Sequence, residues 1–241
     1  MGNPATLIPG AREATAPVPP LEPGDRLTRA EFERRYEAMP DGKKAELIEG
    51  VVHMSPAVRW DHHAGPHADL MGWLAVYRAG TPGVRVGDNG SIRLDLDNEP
   101  QPDATMIVLP AFGGRAVISG DDYIEGAPEF VAEISASTAS IDLHAKLGVY
   151  RSNGVREYLV WRVRDREIDW FELREDRYEP LAPGPDGTLR SNVFPGLWLD
   201  VPAMLEADLA RVLRFLEQGL SSPEHAKFMA VLKRGESGDI A

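Results

Sequence analysis

Two carboxylates and a lysine stand where strand and helix ends could gather them around one cation. Asp103 follows Pro102 at the head of the apolar run 104–109, Glu133 interrupts the run 130–135, and Lys146 sits in the helical stretch 142–151. Strand alternation puts Phe130, Ala132 and Ile134 on one face and Val131, Glu133 and Ser135 on the other. A carboxylate in so apolar a strand is costly to bury unless it is paired or holds a cation. A hard cation held by two carboxylates would activate water near neutral pH, and an ammonium beside it could orient that water or neutralise an anion. The residues alone also allow a plainer arrangement. Glu133 and Lys146 could be a buried ion pair, with Asp142 and Lys146 an ordinary helical i,i+4 pair.

The flanking elements must position these groups. Thr28 and Glu31 make a Thr-x-x-Glu capping box for a helix to about residue 39, stopped by Pro40-Asp41-Gly42. Residues 45–54 read as a hairpin turning at Glu49-Gly50, with Glu46 at its start. The next helix is expected to begin at Pro66 with Gly65 as its cap. A start at Asp61 would set the proline ring against the His62 carbonyl, so His62 and His63 fall in the lead-in loop. Leu70, Trp73, Leu74 and Tyr77 make its core-facing stripe. Residues 84–96 form one or two strands turning at Asp88-Asn89-Gly90, 110–126 form a loop, and Asn153-Gly154 stops the Lys146 helix. Antiparallel strands follow at 157–163, 167–174 and 178–181, then a strand pair within 189–199. Leu205, Leu209, Val212, Leu213 and Leu216 then recur at helical spacing.

The 241 residues, 43% hydrophobic, suit one good core. A formal charge of −12 argues against affinity resting on a broad basic face, but leaves room for a cleft neutralised by bound cations. Without cysteine, disulfides and thiolate metal sites are excluded. No run has the length of a membrane span or the pattern of a signal peptide, so a cytoplasmic protein without a membrane partner is expected. Residues 1–25, rich in proline, alanine and glycine, read as a disordered arm.

Other residues invite chemistry less strongly. His63 and His67 have zinc-ligand spacing, but Pro66 argues against a shared face on a regular helix and no acidic third ligand is placed. Ser135, Ser137 and Thr138 lack a Gly-x-Ser-x-Gly elbow and suit helix capping. Tyr150 and Tyr158 read as packing. Arg162, Arg164 and Arg166 read as a solvated hairpin tip, with a phosphate track as the alternative.

Taken together, Glu46-Leu47-Ile48-Glu49-Gly50, a histidine after Ser55-Pro56, Pro102-Asp103, Glu133-Ile134-Ser135-x-Ser137-Thr138, Asp142-x-x-x-Lys146-x-x-x-Tyr150 and Gly154-Val155-x-Glu157-Tyr158 resemble the Uma2 (DUF820) family. The likeness spans roughly residues 27–201. It implies an endonuclease of the PD-(D/E)xK restriction-endonuclease-like superfamily, which hydrolyses nucleic-acid phosphodiesters, DNA ahead of RNA. It further implies Asp103, Glu133 and the Ile134 backbone carbonyl as ligands of Mg²⁺ or Mn²⁺. Glu46 and Lys146 would complete the catalytic set, with His62 and Asp142 as substrate or outer-shell residues. One departure from the superfamily stands out: Ser135, not lysine, lies two residues after Glu133, so the lysine must come from the helix.

The expected architecture is α/β, a restriction-endonuclease-like mixed central sheet flanked by helices, with an antiparallel extension and C-terminal helices. The expected division is an arm at 1–25, the nuclease-like domain at 26–201 and a helical appendage at 202–241. A homodimer is expected, since superfamily enzymes often need one and the C-terminal apolar stripe must be covered. The rival reading is a nuclease-fold protein that binds nucleic acid or a protein partner without cutting.

Overall fold

The structure, a computed structural model, describes residues 17–40, 43–55, 57–136 and 138–236. Its strands are β1 (Ala45–Ile48), β2 (Val51–Met54), β3 (Val84–Asp88), β4 (Ile92–Arg93), β5 (Ala104–Val108), β6 (Val117–Ile118), β7 (Ile124–Glu125), β8 (Phe130–Ser135), β9 (Glu157–Arg162), β10 (Glu167–Arg174), β11 (Arg177–Pro180), β12 (Thr188–Arg190) and β13 (Trp198–Asp200). The helices are α1 (Arg29–Tyr36), α2 (Gly65–Gly80), α3 (Leu147–Ser152), α4 (Val201–Leu205), α5 (Leu209–Leu220) and α6 (Pro223–Glu236). A π turn opens α2 (Trp60–Ala64) and another opens α3 (Ile141–Lys146).

Six strands form the central sheet in the order β11-β10-β9-β8-β5-β3. β8 and β9 run parallel, joined by the α3 crossover, while the other pairs are antiparallel. This is the mixed α/β sheet with an antiparallel extension that the sequence predicts. β8 is buried along its whole length, and its alternation sorts the two sides of the sheet. Phe130, Ala132 and Ile134 pack with Trp73, Leu74 and Trp170 in the larger core beneath α2. Val131 packs with Tyr150, Val155 and Tyr158 in a smaller core beneath α3. The β1–β2 hairpin closes through Glu49 (φ 52) and Gly50 (φ 72), the left-handed pair that a two-residue turn requires.

Several local expectations are corrected. Thr28 sits at the α1 N-cap without a side-chain capping bond: its backbone carbonyl takes the Glu31 N–H, and the Glu31 carboxylate that would complete the box is held by Arg34 and Arg35. The loop at 110–126 contains the short strands β6 and β7, whose two residues each are too few to show alternation. Order also begins ahead of residue 26. Leu21 is buried with Phe32 and Leu47, and the Gly24 N–H donates to the Val52 carbonyl (2.9 Å). The rest of the expected arm, 1–16, lies outside the described residues, as do Asp41, Gly42, Pro56 and Ser137.

The C-terminal stripe is broken at Ala207 (φ 57), and the Asp208 side chain then caps α5 by accepting the Arg211 N–H. Val212 and Leu216 are buried in the larger core, so this chain itself covers that face of α5. No described helix is long and apolar enough to cross a membrane.

Candidate active site

β5 and β8 bring the two acids of the proposed pair face to face. The register Ala104↔Ala132 and Thr105↔Val131, continued by one residue, sets Asp103 opposite Glu133 on the side away from Phe130 and Ile134. The Ile134 N–H donates to Asp103 Oδ2 (2.7 Å) and fixes that carboxylate at the strand mouth. Glu133 is 4% exposed. Lys146, the last residue of the π turn before α3, donates from Nζ to Glu133 Oε1 and Glu46 Oε1, both at 2.9 Å, and lies 3.9 Å from Asp142 Oδ1. Glu46 arrives from β1, where its Oε1 also accepts the Gln101 N–H (2.7 Å). Tyr150, one turn beyond Lys146, donates to Glu133 Oε1 (3.0 Å). Thr138 donates to Asp142 Oδ2 (2.6 Å), and the Tyr158 hydroxyl donates to the Asp142 carbonyl (3.0 Å).

Three carboxylates therefore surround one buried ammonium. Burial pushes the Glu133 carboxyl up, and the charges of Asp142, Asp103 and Glu46 add to the rise against the pull of Lys146. Burial alone would lower the Lys146 ammonium, but Glu133, Glu46 and Asp142 outweigh it and keep the lysine charged. Burial also raises Asp142, in part offset by Lys146 and Thr138. Asp103 goes the other way. Burial opposes its ionisation, yet the hydrogen bond from His63, the Lys44 charge and the Ile134 N–H hold it at about 2.

Asp103, Glu133, Lys146, Glu46 and Asp142 line one cavity of about 670 Å³. His62 also lines it, but His63 approaches Asp103: its Nε2 lies 3.2 Å from Oδ1. His67 Nε2 lies 2.9 Å from the Asp103 carbonyl oxygen and 3.2 Å from Asp88 Oδ1. The lead-in loop expected for His62 and His63 is instead the π turn. Its Gly65 N–H reaches back five residues to the Trp60 carbonyl, and the wider turn leaves room for the Pro66 ring. The imidazoles of His63 and His67 consequently meet edge to face at 5.7 Å, against the expectation that Pro66 separates them.

Lys44, with Nζ 3.6 Å from Asp103 Oδ1, went unseen in the sequence, as did the hydroxyl contacts of the two tyrosines. A lysine just before a hairpin carries no periodic signal. The tyrosines do pack as expected, their rings 4.9 Å apart, but their hydroxyls are spent on the acidic cluster.

Among the described residues no group of three or more His, Asp and Glu side chains is arranged to hold a metal. The donor chemistry of Asp103 and Glu133 still suits a hard cation. Mg²⁺ commonly takes one or two protein carboxylates and completes its shell with water and phosphate oxygens, and does not need a full protein cage. Both bonds to Glu133 fall on Oε1, which leaves Glu133 Oε2 outside them, while Asp103 accepts the Ile134 N–H on Oδ2 and faces His63 and Lys44 with Oδ1.

A family model, Uma2, described as "Putative restriction endonuclease", matches residues 29–202. A crystal structure described as "a putative nuclease belonging to DUF820 from Anabaena variabilis" aligns over 72% of this chain and 96% of its own, with a TM-score of 0.56 and 12% identity. At that identity the likeness speaks for the fold. No curated protein matches the chain. The mixed sheet, the opposed acids and the lysine on the crossover helix all fall inside the matched span, and the chain belongs to the Uma2 family.

Proposed function

We propose that this protein is a metal-dependent endonuclease that hydrolyses nucleic-acid phosphodiesters, DNA in preference to RNA, and that it works as a homodimer. One observation carries the reading: Asp103, Glu133, Glu46 and Lys146, drawn from β1, the β5 mouth, β8 and the α3 crossover, converge on one cavity in a chain of the Uma2 family. Asp103, Glu133 and the Ile134 carbonyl would hold Mg²⁺ or Mn²⁺, which supplies an activated water and neutralises charge on the phosphate.

The chain's own residues set the stage. Hydrolysis joins a water oxygen to phosphorus and breaks one P–O ester bond, so negative charge grows on the phosphoryl oxygens. Lys146, kept protonated by its carboxylates, is the cation that can turn to those oxygens or to the attacking water in exchange for Glu133. Tyr150 and Glu46 keep Glu133 and Lys146 in place during that exchange. Asp142, braced by Thr138, and His62 on the cavity wall act from outside the first set of contacts.

The test is a titration of Mg²⁺ or Mn²⁺ against wild type, Asp103→Asn and Glu133→Gln, followed by melting temperature and by cleavage of plasmid, single-stranded DNA and RNA. At ten times Kd, a bound metal contributes about 1.4 kcal/mol of stability. That gain should appear in the wild type and vanish in both variants, together with cleavage. Cleavage that persists in chelator, or in Glu133→Gln, would assign the activity elsewhere. The acidic charge of −12 favours the second reading, a protein that binds without cutting. Metal binding without cleavage of any substrate would select it.

A further inference from the structure

Beside the acidic cavity lies a second recess of about 420 Å³, and His62 lines both. Its wall includes Trp60, the first residue of the π turn, together with Asp61, Asp69, Trp161 and Arg166. Trp60 is 79% exposed, an unusual fate for the largest apolar side chain unless its face has a partner. Arg59 and Arg164 stand on the rim of the acidic cavity. Arg162, on the same hairpin as Arg164 and Arg166, is consumed by Asp165, Glu167 and Asp169. Arg59, Arg164 and Arg166 have no carboxylate partner among the described residues, in a chain where acids outnumber bases by twelve.

An indole face, two carboxylates and guanidinium groups at the edge make a chemically specific set. The carboxylates of Asp61 and Asp69 repel a phosphate inside the recess but accept hydrogen bonds from exocyclic amino groups, as acidic side chains do from cytosine N4. The indole offers a stacking surface, which a base can use only when it is not locked in a duplex. Guanidiniums at the edge of the recess suit the phosphates on either side of such a base.

We propose that this recess receives an unpaired nucleobase of the strand whose phosphodiester lies at the Asp103–Glu133 centre, so that the substrate is single-stranded or locally unpaired nucleic acid. Trp60 is the stacking residue, and Arg164 and Arg166 take the flanking phosphates. The proposal rests on the nuclease reading and deepens it by naming the form of the substrate.

The experiment measures fluorescence anisotropy of labelled oligo(dA), oligo(dC), oligo(dT) and a blunt duplex with wild type, Trp60→Ala and Trp60→Phe, with Ca²⁺ in place of Mg²⁺. Trp60→Ala should weaken single-strand binding about tenfold and duplex binding less than twofold, because only an unpaired base gains from the indole. Trp60→Phe should retain most of the affinity, and oligo(dA) and oligo(dC), which carry amino groups, should bind more tightly than oligo(dT). Equal losses on single strand and duplex, or none, would overturn the recess while leaving the hydrolytic centre standing. A wild type that binds none of the four would remove the nucleic-acid reading itself. A change in sedimentation of Trp60→Ala with unchanged affinity would mark Trp60 as a protein contact and overturn the proposal.

Discussion

Replacing Lys146 with methionine should destabilise the protein in a way that grows with pH. Lys146 is 5% exposed, and its Nζ is the one cation within 4 Å of Glu133, Glu46 and Asp142 among the described residues. Methionine fills similar space but leaves three buried carboxylates facing one another. Breaking a buried pair by removing one partner costs about 3–5 kcal/mol, because the remaining charge is left uncompensated. In a protein of this size that corresponds to a loss of about 6–20 °C in Tm. The carboxylates can escape by taking up protons. Glu133 is already raised by burial and would rise further without the ammonium. A carboxyl whose folded pKa lies above its unfolded value weakens the fold as pH climbs from the unfolded value through the folded one. The penalty should therefore be largest near pH 8 and shrink toward pH 5. Urea unfolding of wild type and Lys146→Met at both pH values measures it. The double variant Lys146→Met, Glu133→Gln should recover part of the loss. Equal stability at pH 8, or a larger penalty at pH 5, would refute the buried-cluster account.

Other outcomes follow from the same geometry. Asp103, held at about 2, contributes stability that is fully present above its unfolded value of about 4 and is lost as pH falls toward 2, so Asp103→Asn should flatten the urea profile across that window. Leu21→Ala should cost about 2 kcal/mol in urea unfolding, since Leu21 is packed on Phe32 and Leu47, and a truncation that spares residue 17 onward should keep that contribution. Leu216→Ala should cost about 2–5 kcal/mol without changing the sedimentation coefficient, because Leu216 is buried within its own chain. Sedimentation of the wild type at micromolar concentration tests the homodimer directly, and a monomer alone would remove it.

The parts of the site that sit on regular strands were legible in advance. The alternation around Glu133 gave its face, and the Pro102-Asp103 step ahead of an apolar run gave a companion at the strand mouth. Lys146 could be guessed as a partner, but Glu46 owed its place to the family resemblance, since nothing in its hairpin ties it to residues a hundred positions away. His62 was preferred to His63 on the family resemblance, and the argument from Pro66 left both in a lead-in loop because it assumed α geometry throughout. A π turn is a three-dimensional accommodation between a proline ring and a carbonyl, and it leaves no periodicity of its own in five residues. Lys44 was invisible for a related reason: its reach to Asp103 depends on how the β1–β2 hairpin docks, which is a tertiary fact.

The two π turns have a consequence for how the site tolerates insertions and deletions. Each successive residue of an α-helix advances by about 100° around the axis. A π turn closes over one residue more than an α turn, so it absorbs an extra residue while the segments on either side keep helical phase. In α3 that turn lies between Thr138, which braces Asp142, and Tyr150, which braces Glu133. Removing one residue between Asp142 and Lys146 should therefore return a continuous α-helix in which the two stand three apart and still share a face. Inserting one residue after Lys146 would instead turn Tyr150 about 100° away from Glu133. Both helices that feed the acidic cavity thus open on a turn that tolerates the loss of a residue, while a residue gained in the regular turns beyond it rewires the cluster and leaves every side chain of it in the sequence.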